Sequence, residues 1–239
     1  MPRFFTVAVD EKKAVLTGPD AAHITKSLRM HAGEELIVCD CAGNDYLCTI
    51  ESVGETVVAK VLQKQPCQSE PSLRLRLFQA LPKGDKMEWI TQKAVELGVS
   101  EIIPVLTERC ISRPDGPSMR KKAARYQKIA EEAAKQSGRG IIPRFGELVT
   151  LQEAVDAMIQ DQLAIVCYER GGKSLSELVD GQERTGSVLI GSEGGFAQEE
   201  IHLMAAAGVQ VAGLGPRILR CETAPLCAVS LLMFLTGNL

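Results

Sequence analysis

The chain has 239 residues, 45% of them hydrophobic and 24% charged, with a formal net charge of −3. This composition excludes a disordered or collagen-like chain and leaves room for one large domain or two of ordinary size. The acidic balance argues against a generally sticky nucleic-acid binder, and the longest apolar run, Leu226 to Leu235, is too short to span a membrane.

From the first residue, "MPRFFTVAVDEKK" becomes charged too early for a secretory core, so a cytoplasmic protein is expected. Residues 1–65 read as β-rich. "FFTVAV", "KAVLTG", "ELIVCD", "DYLCTIESV" and "TVVAKVLQ" are short β-branched and apolar runs separated by Gly, Asp and Asn turns. One helix, "GPDAAHITKSLRM", interrupts them, with Asp20 as its expected N-cap. Several short strands at close spacing predict a small barrel. The polar, proline-containing stretch Lys64 to Ser72 reads as a linker.

From Leu73 the pattern changes to alternating strands and helices. "LRLRLFQAL" is a strand. "KGDKMEWITQKAVELG" has a helical period that places Trp89, Ile90, Ala94 and Leu97 on one side, with Gly98 as its stop. "SEIIPVL", "QLAIVCYE", "GSVLIG" and "VQVAGLG" are further strands. "PSMRKKAARYQKIAEEAAKQSG", "LQEAVDAMIQ", "SLSELVD", "AQEEIHLMAAAG" and "ETAPLCAVSLLMFLTG" are helices. Such alternation predicts an α/β domain on a mostly parallel sheet, with ligands at the carboxyl ends of the strands. The expected division is therefore 1–66 and 73–239.

Charge is unevenly distributed. Residues 74–150 hold 15 basic and 9 acidic side chains, whereas residues 151–239 hold 5 and 11. The basic block, densest from Arg109 to Arg144, reads either as an RNA footprint or as a solvated helix face. Eight cysteines occur without any C-x-x-C, and no histidine stands at zinc-like spacing. No metal is expected, and the cysteines read as free thiols of a reducing compartment. Cys39 and Cys41 are placed on the same face of one strand.

Two loops, each following a strand, carry the sequence's chemistry: "GSEGGFAQEE" and "GLGPRILRCETAP". A nucleoside triphosphate loop would need Lys and Ser or Thr after its last glycine, where Phe196 and Ala197 stand. A dinucleotide fingerprint would need a third glycine where Ile218 stands. What remains is a cofactor held by main-chain groups in glycine-tight turns.

"LIGSEGGFAQEEI" followed by "LGPRILRCETA" resembles the paired C-terminal motifs of the RsmE-type RNA methyltransferases of the SPOUT class. "KGDKMEWITQKAVELGVSEIIPV", "AAKQSGRGIIP" and "HITKSLRMHAGEEL" resemble further segments of that family, in order along nearly the whole chain. The resemblance implies a small N-terminal PUA-like β-barrel RNA-binding domain and a C-terminal trefoil-knotted α/β methyltransferase domain. It implies S-adenosyl-L-methionine as cofactor and N3-methylation of a uridine in the decoding region of 16S ribosomal RNA as reaction. It also implies a homodimer, with assembled 30S subunits as the expected substrate. A different RNA methylation, such as ribose 2′-O-methylation, and a non-enzymatic RNA-binding assembly factor are the competing readings.

Carried onto this chain, the resemblance assigns Gly191, Glu193, Gly194 and Gly195 to the first cofactor loop. Leu214, Gly215, Arg217, Ile218, Leu219 and Thr223 fall to the second. Arg220 and Glu222 are the catalytic candidates, Arg220 as stabiliser of charge developing on the uracil oxygens. Arg29, Arg113, Lys135, Gln136, Ser137 and Arg139 are expected to face RNA. Thr223 also reads as an N-cap and Glu222 as an acceptor of backbone amides. Glu193 has two candidate partners, a cofactor ribose or Arg217 and Arg220. Cys221 has no histidine near it in sequence to act as base. The chain departs from the family's usual pattern at Ser192, Cys221, Pro225 and Lys135.

Overall fold

A computed structural model describes all residues, 1–239. They form two compact units: Met1–Glu70 with Ala134–Ile142, and Pro71–Ala133 with Pro143–Leu239.

In the first unit, β1 (Arg3–Phe5), β2 (Lys13–Leu16), β3 (Glu35–Cys39), β4 (Asn44–Ser52) and β5 (Val57–Pro66) form one sheet in the order β1-β3-β4-β5-β2. β1 runs parallel to β3 and the other pairs are antiparallel. The segment beyond β1 joins the two edges: the Thr6 amide donates to the Cys39 carbonyl and the Val15 amide to the Ala8 carbonyl. Phe4, Leu16, Leu36, Ile50 and Val57 fill the interior, together with Ile24 from the helical segment. From Tyr46 to Ile50 the residues of β4 alternate between buried and half-buried, and Asp45 is buried beside Tyr46. Buried Asp45 is matched by Arg3, which donates to both carboxylate oxygens at 2.6 and 2.9 Å.

The expected helix is α1 (Gly18–Ala22) running into a π-helical turn, His23–Ser27. Its N-cap is Thr17 rather than Asp20; Pro19 fits the first turn because its missing N–H is not needed there. Asp20 instead pairs with Lys135 at 2.9 Å. Cys41 lies beyond β3 in a left-handed turn (φ 61°) and is exposed, whereas Cys39 is buried, so the two do not share a strand face.

The inclusion of residues 134–142 in this unit has a local cause. Glu70 accepts from Arg139 Nε and Nη2 and from the amides of Gly140 and Ile141, at 2.8 to 3.0 Å. Arg3 Nη1 also reaches the Arg139 carbonyl. Gly140 packs against Cys67 so closely that a β-carbon there would stand 2.5 Å from that of Cys67. The sequence had placed this segment after residue 73, with the second domain.

The second unit contains β6 (Arg74–Ala80), α2 (Lys86–Glu96), β7 (Glu101–Leu106), α3 (Gly116–Ser137, whose last turn belongs to the first unit), β8 (Arg144–Phe145), β9 (Val149–Thr150) and α4 (Leu151–Met158). There follow β10 (Leu163–Cys167), α5 (Leu175–Leu178), β11 (Thr185–Ile190), α6 (Gln198–Ala206), β12 (Gln210–Ala212) and α7 (Ala224–Leu235). All its strand pairs are parallel, in the order β12-β10-β11-β6-β7-β8, with β9 beside β7. Central strands covered on both faces read as continuous apolar runs, and all five residues of β10 are buried. Phe78, Val105, Val166, Leu189, Phe196 and Met204 pack in one cluster.

On α2 the buried positions are Met87, Ile90, Thr91, Ala94 and Val95. Trp89 is 51% exposed, with Lys93 Nζ 5.1 Å from its ring centre. It therefore leaves the face on which the helical period had placed it. Gly98 ends the helix at φ 100°, a conformation open to glycine at little cost. Because β10, β11 and β12 are close neighbours, the loops leaving their carboxyl ends gather at one edge of the sheet.

Candidate functional site

These three loops enclose a cavity of about 500 Å³. The first wall is Ile190 to Phe196 after β11, the second is Leu214 to Cys221 after β12, and the third is Cys167 to Glu169 after β10. Nine of the ten residues expected in the cofactor loops line it: Gly191, Glu193, Gly194, Gly195, Leu214, Gly215, Arg217, Ile218 and Leu219. Arg220 lines it too, whereas Glu222 and Thr223 do not. The third wall was missed. Its only sequence signal was position, because "CYE" follows a strand and carries no motif.

The glycines of the first loop are required by the protein itself. Gly195 has φ 64°, and the loop closes on the Gly195 amide donating to the Ser192 carbonyl at 2.9 Å. A β-carbon on Gly191 would lie 3.1 Å from the Gly195 Cα, and one on Gly194 would lie 2.9 Å from the Arg109 side chain. Arg109 Nη1 in turn donates to the Gly194 carbonyl at 3.0 Å. Behind the loop, the buried Glu200 carboxylate accepts from the amides of Ala197 and Glu108. Buried Gln79 donates to the Gly191 carbonyl at 3.2 Å.

Glu193 does not pair with Arg217 or Arg220. Lys86, at the start of α2, donates to it at 2.8 Å, and the Lys83 amide donates at 3.1 Å. Burial pushes the Glu193 carboxyl up, but Lys86, its own amide and the Lys83 amide together hold it below the usual carboxylate range. The same ammonium lies 3.4 Å from Glu222 and 3.5 Å from Cys221 Sγ. The hydrogen bond that Lys86 donates to Glu193, the largest cause, raises the Lys86 pKa against the opposing effect of burial. One lysine therefore ties the first loop to the second. It was missed because a lysine in a helix's first turn looks like ordinary surface charge.

Glu222 accepts from the Cys221 thiol at 3.2 Å; that bond, its own amide and Lys86 hold its carboxyl below the ordinary range. Burial, with the bond to Glu222, pushes the Cys221 thiol up to about 12, so it stays protonated and is no nucleophile at neutral pH. Thr223 occupies the N-cap position of α7, but its side chain makes no capping hydrogen bond.

Arg217 and Arg220 are exposed, and neither guanidinium has a protein partner. The expected pairing with Glu193 or Glu222 is absent because Lys86 already occupies both carboxylates. Between the arginines, Ile218 is 81% exposed. The mouth of the cavity thus presents two uncommitted cations and an apolar side chain.

The residues expected to face RNA divide. Arg139 is 3% exposed and locked on Glu70, so it offers no guanidinium to RNA. Lys135 is engaged by Asp20. Arg113 is spent on a turn, donating to the carbonyls of Thr107, Glu108 and Cys110. Ser137 is half-buried and Gln136 is exposed. Arg29 is exposed in a left-handed turn (φ 54°), a place where glycine is the usual residue. None of the eight cysteines forms a disulfide.

A family model of the RNA methyltransferase domain matches residues 69–233, and one of the RNA methyltransferase PUA domain matches residues 16–62. The chain is 35% identical over 229 residues to the Bacillus subtilis ribosomal RNA small subunit methyltransferase E, covering 92% of this chain and 90% of that one. It belongs to this methyltransferase family. The family member from Neisseria gonorrhoeae, solved bound to S-adenosyl methionine, superposes with a TM-score of 0.87 at 31% identity and 98% coverage of both chains. A Legionella pneumophila methyltransferase solved with bound SAM gives 0.86 at 32% identity, covering 97% of this chain and 96% of that one. The fold class is accordingly the SPOUT α/β methyltransferase domain with an N-terminal PUA-like domain. The protein is an RNA methyltransferase, and no helix in it is long and apolar enough to cross a membrane.

Proposed function

We propose that the chain transfers a methyl group from S-adenosyl-L-methionine to N3 of a uridine in 16S ribosomal RNA. The observation that carries this reading is the cavity bounded by both glycine loops, with unpaired Arg217 and Arg220 at its mouth. Its volume of about 500 Å³ suits a nucleoside cofactor. Its first wall carries no β-carbons at Gly191, Gly194 and Gly195, so main-chain groups face the cavity there. Bound there, the cofactor supplies an electrophilic methyl on a positively charged sulfur.

The chain's own residues do the rest. Main-chain groups of Gly191, Gly194, Gly195, Leu214 and Gly215 bind the nucleoside, and Ile218 and Leu219 cover its base. Arg220 stabilises negative charge on the uracil oxygens as N3 gives up its proton, the stage at which preorganised cations contribute most. Arg217 takes a backbone phosphate. Lys86 holds Glu193 and Glu222 so that the two cofactor loops keep their spacing, which makes Glu222 a positioning residue. Arg29 and Gln136 are the remaining candidates for RNA contact.

The substrate is the assembled 30S particle, and the protein acts in the cytoplasm as a homodimer. Large apolar side chains left exposed on α2 and α7, Trp89, Leu231 and Phe234, support self-association of the methyltransferase unit.

Mapping of modified nucleosides in 16S ribosomal RNA from a deletion strain tests the reaction. The expected outcome is loss of one N3-methyluridine and its return on complementation. Persistence of that nucleoside, or loss of a ribose-methylated one instead, would refute the assignment.

A further inference from the structure

One carboxylate in the cavity wall has no protein partner. Glu193 is balanced by Lys86 at 2.8 Å. Glu169, on the third wall, forms no hydrogen bond or ion pair. Its carboxylate, on an exposed residue, sits over the tight corner of the first loop: a β-carbon on Gly195 would lie 3.0 and 3.1 Å from its two oxygens.

The span that carries it is held at both ends by β12. The Tyr168 amide donates to the Ala212 carbonyl at 2.9 Å, the Lys173 amide to the Val211 carbonyl at 3.1 Å, and the Gly213 amide to the Lys173 carbonyl at 3.0 Å. Gly172 approaches β12 so closely that a β-carbon would stand 2.6 Å from the Val211 carbonyl oxygen. A short anchored span therefore presents the carboxylate to the cavity.

With Glu193 neutralised, the charges left on the wall are Arg217, Arg220 and Glu169. Without Glu169 the cavity would face a cationic sulfur with two cations and no counter-charge. We infer that Glu169 is the counter-ion of the sulfonium, and that it makes the cavity prefer S-adenosylmethionine over S-adenosylhomocysteine. This inference rests on the methyltransferase reading above. Both ligands carry the same ribose, ammonium and carboxylate; they differ in the methyl on sulfur and the positive charge it confers. During transfer the S–CH₃ bond breaks with its electron pair returning to sulfur. The N3–CH₃ bond forms from the nitrogen pair, and the N3 proton passes to water. Sulfur is then a neutral thioether, Glu169 loses its partner, and product leaves more readily than cofactor.

Calorimetric titration of wild-type protein and Glu169→Gln with each ligand tests this. The expected loss is about five- to tenfold for S-adenosylmethionine and less than twofold for S-adenosylhomocysteine, with the difference shrinking as salt is raised. Glu169→Lys should reverse the preference, a result that impaired folding cannot mimic. Equal losses for both ligands would assign the carboxylate to the shared ribose or ammonium and overturn the inference, and no loss for either would also overturn it. Failure of the wild-type chain to bind either ligand would instead remove the methyltransferase reading on which the inference rests.

Discussion

Two arginine-bearing loops, Ser137–Ile141 and Gly215–Cys221, look alike in sequence and meet opposite fates. Arg139 is buried and gripped by Glu70, and the neighbouring amides point at the same carboxylate. Arg217 and Arg220 stay exposed and unpaired, although the uncommitted carboxylate of Glu169 lines the same cavity. Basicity alone did not decide their roles. Burial did, since a guanidinium enters a desolvated site only when paired, whereas an exposed one needs no protein partner.

The sharpest break of this comparison is Arg220→Ala. Turnover should fall on the order of 100-fold, the usual effect of removing one preorganised charge-stabilising donor. Cofactor affinity and chemical stability should stay near wild type, as measured by single-turnover kinetics beside calorimetry. Parallel loss of affinity would make Arg220 a structural residue like Arg139. Arg139→Ala should show the mirror image: a stability loss of about 3 kcal/mol in denaturant unfolding, from the carboxylate left unpaired. Cofactor affinity at saturating folded protein should not change.

Lys86→Met should weaken S-adenosylmethionine binding by roughly tenfold, because both cofactor loops lose their common brace. Unfolding measurements should register little change, since Lys86 is one-third exposed. The smallest effect is in pH dependence. Glu193 and Glu222 have lowered pKa values in the folded protein, so their bracing is complete above the ordinary carboxylate range and is lost as pH falls through the folded values. Binding should therefore be flat from neutral pH down to about 5 and weaken only below about 4. Lys86→Met has no brace to lose, so this acid limb should be absent from it. The same acid limb in both proteins would show that the lysine does not hold these carboxylates down.

Periodicity and glycine placement made the parallel sheet and two of the three cavity walls legible in sequence. Long strands such as Leu163–Cys167 declare themselves by continuous apolar character. Partner choice was not legible. Glu193 had two basic candidates in the neighbouring motif, Arg217 and Arg220, and its actual partner lies 107 residues away. Trp89 misled because the helical period fixes angle, not what lies opposite. Asp20 looked like a cap but answers a lysine 115 residues further on. The misses at Glu193 and Asp20 are polar contacts made across the fold, where local pattern carries no information.

The segment Ala134–Ile142, built into the first unit, makes that unit's fold wait for the middle of the chain. At synthesis rates of about 5–20 residues per second, the strands up to Pro66 emerge several seconds before Arg139 reaches Glu70. Until then the nascent strands carry an unanswered carboxylate and an open groove beside Cys67, where Gly140 will pack. A fragment ending at residue 70 should remain molten, whereas one that appends residues 134–142 through a short linker restores the missing wall. The first unit is thus completed only by residues synthesised after the opening strands of the second.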